Sequence, residues 1–177
     1  LEEMGASIVA RRGDRMPLTV IGNDDLEPID YTTPVASAQI KSAIMFAALG
    51  APGETIITEA QPTRDHSERL LRQFGADVRS ESSEAGHRIT VVGQPELKAT
   101  RIRVPGDPSS AAFAIVAALV TPNSEVRLQG VGINPRRAAL FDCLREMGAD
   151  LTMTPIEGSD DGEPLADIVA RSSALTG

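Results

Sequence analysis

Two stretches of the chain, residues 37–49 and 109–120, are apolar on nearly every helical face. A helix that lies on the surface carries a polar face, so this pattern predicts two helices that are buried on all sides. Segments with the alternating or β-branched pattern of strands stand before and after each stretch. They lie at 29–32, 55–58, 101–104 and 125–128.

An amphipathic helix is predicted next in both halves, at about 64–74 and at 134–147, and two more strands follow each helix. Helical spacing predicts the inward stripe of the first amphipathic helix and places Glu68 on its solvent side. This stripe consists of Ser67, Leu70, Leu71 and Phe74. In the second helix, Asn134 is the predicted cap and Cys143 is placed in the core. The order of elements is therefore β-α-β-α-β-β.

The chain repeats itself at long range. Gly5, Gly75 and Gly148 each follow Met or Phe and precede Ala, and successive glycines are 70 and 73 positions apart. Glycine at this place is typical of a helix end. We therefore predict an α/β (α+β) protein built from about two and a half copies of a unit of roughly 70 residues.

The start of the first apolar helix, Ser37-Ala38-Gln39, is the first candidate binding site. The first backbone N–H groups of a helix lack partners and lie at the positive end of the macrodipole, so they attract a phosphate or carboxylate. Ser37 also has the simpler interpretation of an ordinary N-cap. The repeat spacing of 70 aligns Asp107 with Ser37, so the second apolar helix presents a carboxylate at the same place. Asp107 followed by Pro108 is equally typical of a cap.

Arg64 is the second candidate. It is predicted in the first turn of its helix, where a cation opposes the macrodipole and an acid would be preferred. A residue that breaks a local preference is often used for another purpose, and a guanidinium binds phosphate or carboxylate in a bidentate manner. The alternative is a solvated surface arginine. The two histidines, His66 and His87, have no nucleophile or partner cluster nearby in the sequence, so no chemical step is assigned to them.

The composition of the chain limits the kinds of molecule that the protein is expected to bind. The net charge is −8 and aromatic residues make up 3% of the chain with no Trp, which argues against nucleic acid. The longest apolar run, 111–120, is too short to span a bilayer. The single cysteine fits a reducing compartment, and we expect a soluble, cytoplasmic protein. No metal-binding or nucleotide-binding motif occurs, so we expect no metal and no cofactor.

Three motifs together carry a family resemblance: S-A-Q at 37–39, T-R-D-H-S-E at 63–68 and V-P-G-D-P-S-S at 104–110. In this order and spacing they resemble the bacterial 5-enolpyruvylshikimate-3-phosphate synthase family. The resemblance implies transfer of the enolpyruvyl group of phosphoenolpyruvate to the 5-hydroxyl of shikimate 3-phosphate, with release of phosphate and without a cofactor. It also implies that the chain is a fragment, inactive alone, of an enzyme of aromatic amino-acid biosynthesis.

The family fold implied is an inside-out α/β barrel, in which two globes of three units each surround parallel buried helices and the active site lies in the cleft between them. Residues 1–103 would belong to one globe and 104–177 to the other. Ser37, Ala38, Gln39 and Arg64 would bind shikimate 3-phosphate, with Gln39 also near phosphoenolpyruvate. Asp107, the catalytic candidate, would lie near the hinge side of the active site.

Other interpretations stay open. UDP-N-acetylglucosamine enolpyruvyl transferase shares the implied fold, although its usual loop cysteine has no counterpart here. A non-catalytic α/β module that binds anions is the alternative from another class. The resemblance implies a monomeric parent enzyme, whereas the chain by itself is expected to self-associate through uncovered apolar helix faces.

Overall fold

The computed structural model describes residues 1–84, 86–156 and 162–177. The chain divides into two compact units, Leu1–Thr100 and Arg101–Gly177. The division falls within three residues of the boundary expected from the family resemblance, 103/104. Each unit packs two α-helices against one sheet of three or four strands, and the first unit also contains a two-stranded hairpin. The predicted α/β class is confirmed.

The first unit opens with a short 3-10 helix, Glu2–Met4, which ends at Gly5 in the left-handed conformation. An exposed antiparallel hairpin follows, and then a four-stranded sheet of order β3-β4-β6-β5 that carries the two helices. The strands are β1 (Ser7–Arg11), β2 (Arg15–Ile21), β3 (Asp30–Thr32), β4 (Glu54–Glu59), β5 (Val78–Ser83) and β6 (Gly86–Val92). The helices are α1 (Ala38–Ala48) and α2 (His66–Gln73).

The second unit repeats the later part of this arrangement. Its sheet has the order β7-β9-β8, with antiparallel pairs throughout. The elements are α3 (Pro108–Val120), β7 (Glu125–Gly132), α4 (Ala139–Glu146), β8 (Asp150–Pro155) and β9 (Leu165–Arg171). Each sheet of the described residues is open, so neither unit forms a closed barrel by itself.

Two predicted elements of the second unit differ from the structure. The strand expected at 101–104 is absent, and one isolated parallel bridge joins Gly106 to Val131 instead. Pro105, which has no N–H to donate, and a bulge in β7 after Leu128 both lie beside this bridge. The helix expected from Asn134 begins at Ala139, because 135–138 form a turn in which Asn134 accepts from the N–H of Arg136.

The apolar helices are covered on one face only within their own units. Met45 of α1 and Ile115 of α3 are fully buried against the sheets, whereas Phe113 of α3 is 82% exposed. The prediction of burial on all sides is therefore wrong for the described residues. Cys143 is exposed as well, because the buried face of α4 carries Phe141 and Leu144.

Candidate functional site

The start of α1 has the geometry expected of an anion-binding helix end. Ser37 is the N-cap, with extended backbone, and its hydroxyl accepts from the N–H of Ile40 at 3.4 Å. Ala38 begins the helix, and the side chain of Gln39 is exposed. The first turn contains no acidic residue, so nothing in it offsets the positive end of the helix dipole. A bound anion would do so.

Arg64 lies in the loop between β4 and α2 and is exposed. The helix begins at His66 with Asp65 as N-cap, so Arg64 stands two residues before the helix and not in its first turn as predicted. Its side chain makes no hydrogen bond or ion pair with the described residues. The guanidinium is therefore available to a ligand.

Contacts between the two helices bring these candidates to one end of the first unit. The hydroxyls of Ser42 on α1 and Ser67 on α2 are 2.7 Å apart, and both residues lie close to the starts of their helices. Strands β3 and β4 are parallel, so their carboxyl ends, which lead towards α1 and α2, meet at the same edge of the sheet. This edge is where open α/β sheets bind ligands. Ser37, Ala38, Gln39 and Arg64 all belong to segments at this edge.

A fully buried ion cluster lies beneath the two helix starts. Lys41 Nζ is 3.0 Å from Glu59 Oε2 and 2.8 Å from Glu68 Oε1, and the exposure of these three side chains is 0 to 1%. The prediction that Glu68 faces solvent is wrong, because its carboxylate pairs with the ammonium in the interior. The distance to Glu68 is that of an ion pair without hydrogen-bond geometry, and neither oxygen of Glu68 accepts a hydrogen bond from the described residues.

His87 belongs to the same cluster. It is 5% exposed, its Nδ1 is 2.9 Å from Ser82 Oγ, and one of its ring nitrogens lies within 4.8 Å of carboxylate oxygens of Glu59 and Glu68. The prediction that it lacks a partner cluster is therefore wrong. Ligand spacing alone would suit a metal ion at Glu59, Glu68 and His87, but Lys41 already supplies a cation to both carboxylates. Lys41, a single charge within an apolar helix, was the sequence signal that could have revealed the cluster.

In the second unit, Asp107 is the N-cap of α3. Its Oδ1 accepts from the N–H of Ser109 at 3.1 Å and its Oδ2 accepts from the N–H of Ser110 at 3.2 Å. Arg137 donates to Asp107 Oδ1 at 3.2 Å and to Ser109 Oγ at 2.7 Å. The hydrogen bond from the Ser109 N–H, followed by that from the Ser110 hydroxyl, lowers the pKa of Asp107 below its ordinary value. Asp107 is therefore a carboxylate at neutral pH.

The two helix starts are equivalent positions that differ in charge. Asp107 follows Ser37 by 70 positions, and Arg137 follows Arg64 by 73, the same spacings that separate the repeated glycines. In the second unit the arginine binds the carboxylate of the cap. In the first unit the cap is Ser37, which brings no charge to Arg64. An anionic ligand in the first unit would take the place that Asp107 fills in the second.

No helix of the described residues combines the length and apolar character needed to cross a membrane.

Comparison with known proteins shows extensive similarity. A family model described as EPSP synthase (3-phosphoshikimate 1-carboxyvinyltransferase) matches residues 1–172. The 3-phosphoshikimate 1-carboxyvinyltransferase of Roseobacter denitrificans is 53% identical over 174 residues, covering 98% of this chain and 38% of the relative. That of Paramagnetospirillum magneticum is 54% identical over 178 residues, covering 100% of this chain and 40% of the relative. The chain thus spans about two fifths of the length of these relatives.

Solved structures agree with this similarity. EPSP synthase from Acinetobacter baumannii superposes with a TM-score of 0.88 at 46% identity, over 100% of this chain and 40% of that one. The enolpyruvyl transferase NikO from Streptomyces tendae superposes with a TM-score of 0.64 at 16% identity, over 97% of this chain and 40% of that one. The second match shows a shared fold and nothing more.

Proposed function

Because the chain belongs to the EPSP synthase family, we propose that it forms part of an enzyme that transfers the enolpyruvyl group of phosphoenolpyruvate to shikimate 3-phosphate. The 5-hydroxyl of shikimate 3-phosphate gives up its proton and adds to C2 of phosphoenolpyruvate while C3 takes up a proton. Phosphate then leaves together with a proton from C3, which restores the double bond of the enolpyruvyl group. The chain spans about two fifths of its relatives, so the remaining active-site groups would come from segments outside these residues. The enzyme would work in the cytoplasm and would supply aromatic amino-acid biosynthesis.

The start of α1 and Arg64 together would bind shikimate 3-phosphate. The observation that carries this proposal is the difference between the equivalent helix starts, in which Arg137 has a carboxylate partner and Arg64 has none among the residues that the structure describes. The N–H groups of Ala38 and Gln39, the Ser37 hydroxyl and the Arg64 guanidinium offer donors and positive charge to a phosphate. Gln39, whose side chain is exposed, would also reach phosphoenolpyruvate.

This part of the site would bind and orient the substrate. Fixed donors at the phosphate hold the ring so that its hydroxyl faces the second substrate, and such orientation contributes a large share of the rate of a two-substrate reaction. The proposed place of Asp107 is close to the reacting centre. Its lowered pKa makes it a fixed negative charge there and a poor proton donor at neutral pH.

The two units would belong to different globes of the complete enzyme, with the division close to the V-P-G-D motif. The division observed after Thr100 supports this proposal. The parent enzyme would be a monomer, and it would bind neither nucleic acid nor membrane.

A chimeric enzyme tests the proposed function. The matched segment of the Roseobacter denitrificans relative is replaced by this chain, and the chimera is expressed in a bacterium that lacks its own 3-phosphoshikimate 1-carboxyvinyltransferase. We expect growth without aromatic amino acids. We expect Arg64→Ala to raise the KM for shikimate 3-phosphate by about 10- to 100-fold. Arg12→Ala is the control, because Arg12 is also an exposed arginine of the first unit.

A comparison of two ligands distinguishes the proposed function from its alternatives. Shikimate 3-phosphate should raise the thermal midpoint of the chimera, and UDP-N-acetylglucosamine should not. A chimera that folds and binds anions but has no turnover would favour the non-catalytic module. A KM that is unchanged by Arg64→Ala would remove Arg64 from the proposed site.

A further inference from the structure

The buried ion cluster connects the two parts of the proposed binding site. Lys41 lies in the first turn of α1, and its N–H donates to the carbonyl of Ser37 at 3.2 Å. Its ammonium pairs with Glu59, whose carboxylate accepts from both the N–H and the hydroxyl of Thr63. Thr63 is the residue immediately before Arg64. A chain of three side chains therefore joins the cap of α1 to the loop that carries Arg64.

Glu68 extends this connection to α2. Its carboxylate is 2.8 Å from the Lys41 ammonium, and its neighbour Ser67 contacts Ser42 of α1. The cluster thus links the starts of both helices and the end of β4. One ammonium faces two carboxylates, and a ring nitrogen of His87 lies within 4.8 Å of a carboxylate oxygen of each.

The repeated architecture does not require these charges. Lys41 corresponds to Ala111 at the spacing of 70, and Glu68 corresponds to Phe141 at the spacing of 73. Glu59 pairs with His87 between β4 and β6. The corresponding pair between β7 and β9, once the bulge in β7 is allowed for, is Val131 with Ala166. The second unit thus builds the same interior from apolar residues, which are Ala111, Val131, Phe141 and Ala166.

A buried ion cluster that the fold does not require lowers the stability of the protein. Apolar residues of similar volume often replace buried ion pairs without loss of stability. The oxygens of Glu68 accept no hydrogen bond from the described residues, which adds to the cost. Departures of this kind from the preferences of a fold are expected where function demands them.

We propose that Lys41, Glu59 and Glu68 are positioning residues for the substrate-binding site of the first unit, with His87 as the fourth member of the cluster. The ion cluster holds the starts of α1 and α2 at the separation that a phosphate between them requires. This inference rests on the proposed function, since the ligand is the same shikimate 3-phosphate. None of the three residues touches the substrate; they act through Ser37, Thr63 and Arg64.

The test uses the chimera and begins with Glu68→Gln, which keeps the shape of the side chain and removes its charge. We expect the KM for shikimate 3-phosphate to rise by about 3- to 10-fold with kcat within about twofold of the parent, because substrate binding loses its fixed geometry while the chemistry is untouched. Leu71→Val is the matched control, a buried apolar change on the same helix. We expect it to lower the thermal midpoint and leave KM unchanged.

A triple variant, Lys41→Met with Glu59→Leu and Glu68→Leu, imitates the apolar interior of the second unit. We expect it to fold and to raise the KM by more than about 10-fold. A folded triple variant with the parent's KM would overturn the proposal, and so would failure of both cluster variants to fold, or an equal rise in KM for Leu71→Val. The unmodified chimera and its Arg64→Ala variant are measured first, so a failure of the proposed function is recognised separately.

Discussion

Arg137 donates a hydrogen bond to Asp107 at 3.2 Å, so an arginine ahead of α4 binds the carboxylate that caps α3. The first unit has Arg64 and Ser37 at the corresponding positions. The same architecture therefore satisfies one helix start from within the chain, and we propose that the other takes an external anion. The predictions below follow from this difference and from the buried cluster beneath it.

Asp107→Ala should lower the thermal midpoint of the chimera at pH 7, because α3 loses its cap and Arg137 loses its partner. The pKa of Asp107 is lowered in the folded state, so its contribution is present above the unfolded-state pKa and is lost as the pH falls through the folded-state pKa. The difference between parent and variant should accordingly shrink below about pH 4. Thermal unfolding followed by circular dichroism at several pH values measures this. A difference that grows in acid would contradict the assignment.

Ser37→Asp should place an internal anion at the start of α1, as Asp107 does at α3. We expect the thermal midpoint to stay the same or rise, because the carboxylate caps the helix and pairs with Arg64. The KM for shikimate 3-phosphate should rise by about 100-fold or more, since the carboxylate repels the phosphate. Ser37→Asn is the control, a cap of the same shape without the charge. Similar KM values for the two variants would mean that no phosphate binds there.

Lys41→Met should destabilise the first unit by about 3–5 kcal/mol, because it leaves two buried carboxylates without their cation. The triple apolar variant described above should recover most of this loss, although it carries more substitutions. Urea unfolding of the chimera compares the midpoints of the two variants. If the triple variant is less stable than Lys41→Met, the carboxylates stabilise the fold independently of the ammonium.

The isolated chain should self-associate through the uncovered face of α3. Phe113, Val116 and Val120 lie on this face and are 82%, 38% and 63% exposed. Apolar surface of this kind favours association in water. We expect Phe113→Ser with Val120→Ser to shift the chain towards monomer in sedimentation or size-exclusion experiments. The paired substitution Val9→Ser with Met16→Ser on the β1–β2 hairpin is the control, and an equal effect there would locate association elsewhere.

Elements set by local signals were predicted well. Helix α1 was expected at 37–49 and spans Ala38–Ala48, because an apolar run follows a residue that can cap it. The strands around 55–58 and 125–128 form as β4 and β7 for a similar reason. Local rules failed where contacts with a second element determine the bounds of a strand or helix. The strand expected at 101–104 lacks a full ladder, and α4 begins after a turn that Asn134 organises.

The candidate site likewise contains residues that the sequence predicted and residues that only the structure revealed. The sequence by itself determined the cap of α1, since Ser37 precedes an apolar run, and the family motifs marked Ser37 and Arg64 as candidates for binding. Only the tertiary structure decided which charges become buried. The local pattern placed Glu68 on the surface and gave His87 no partner. In the structure Glu68 pairs with Lys41 in the interior, and His87 lies beside Glu59 and Glu68. Pairing across a sheet and between helices joins residues that are 18 to 28 positions apart in the chain, and no local pattern of hydrophobicity predicts such contacts.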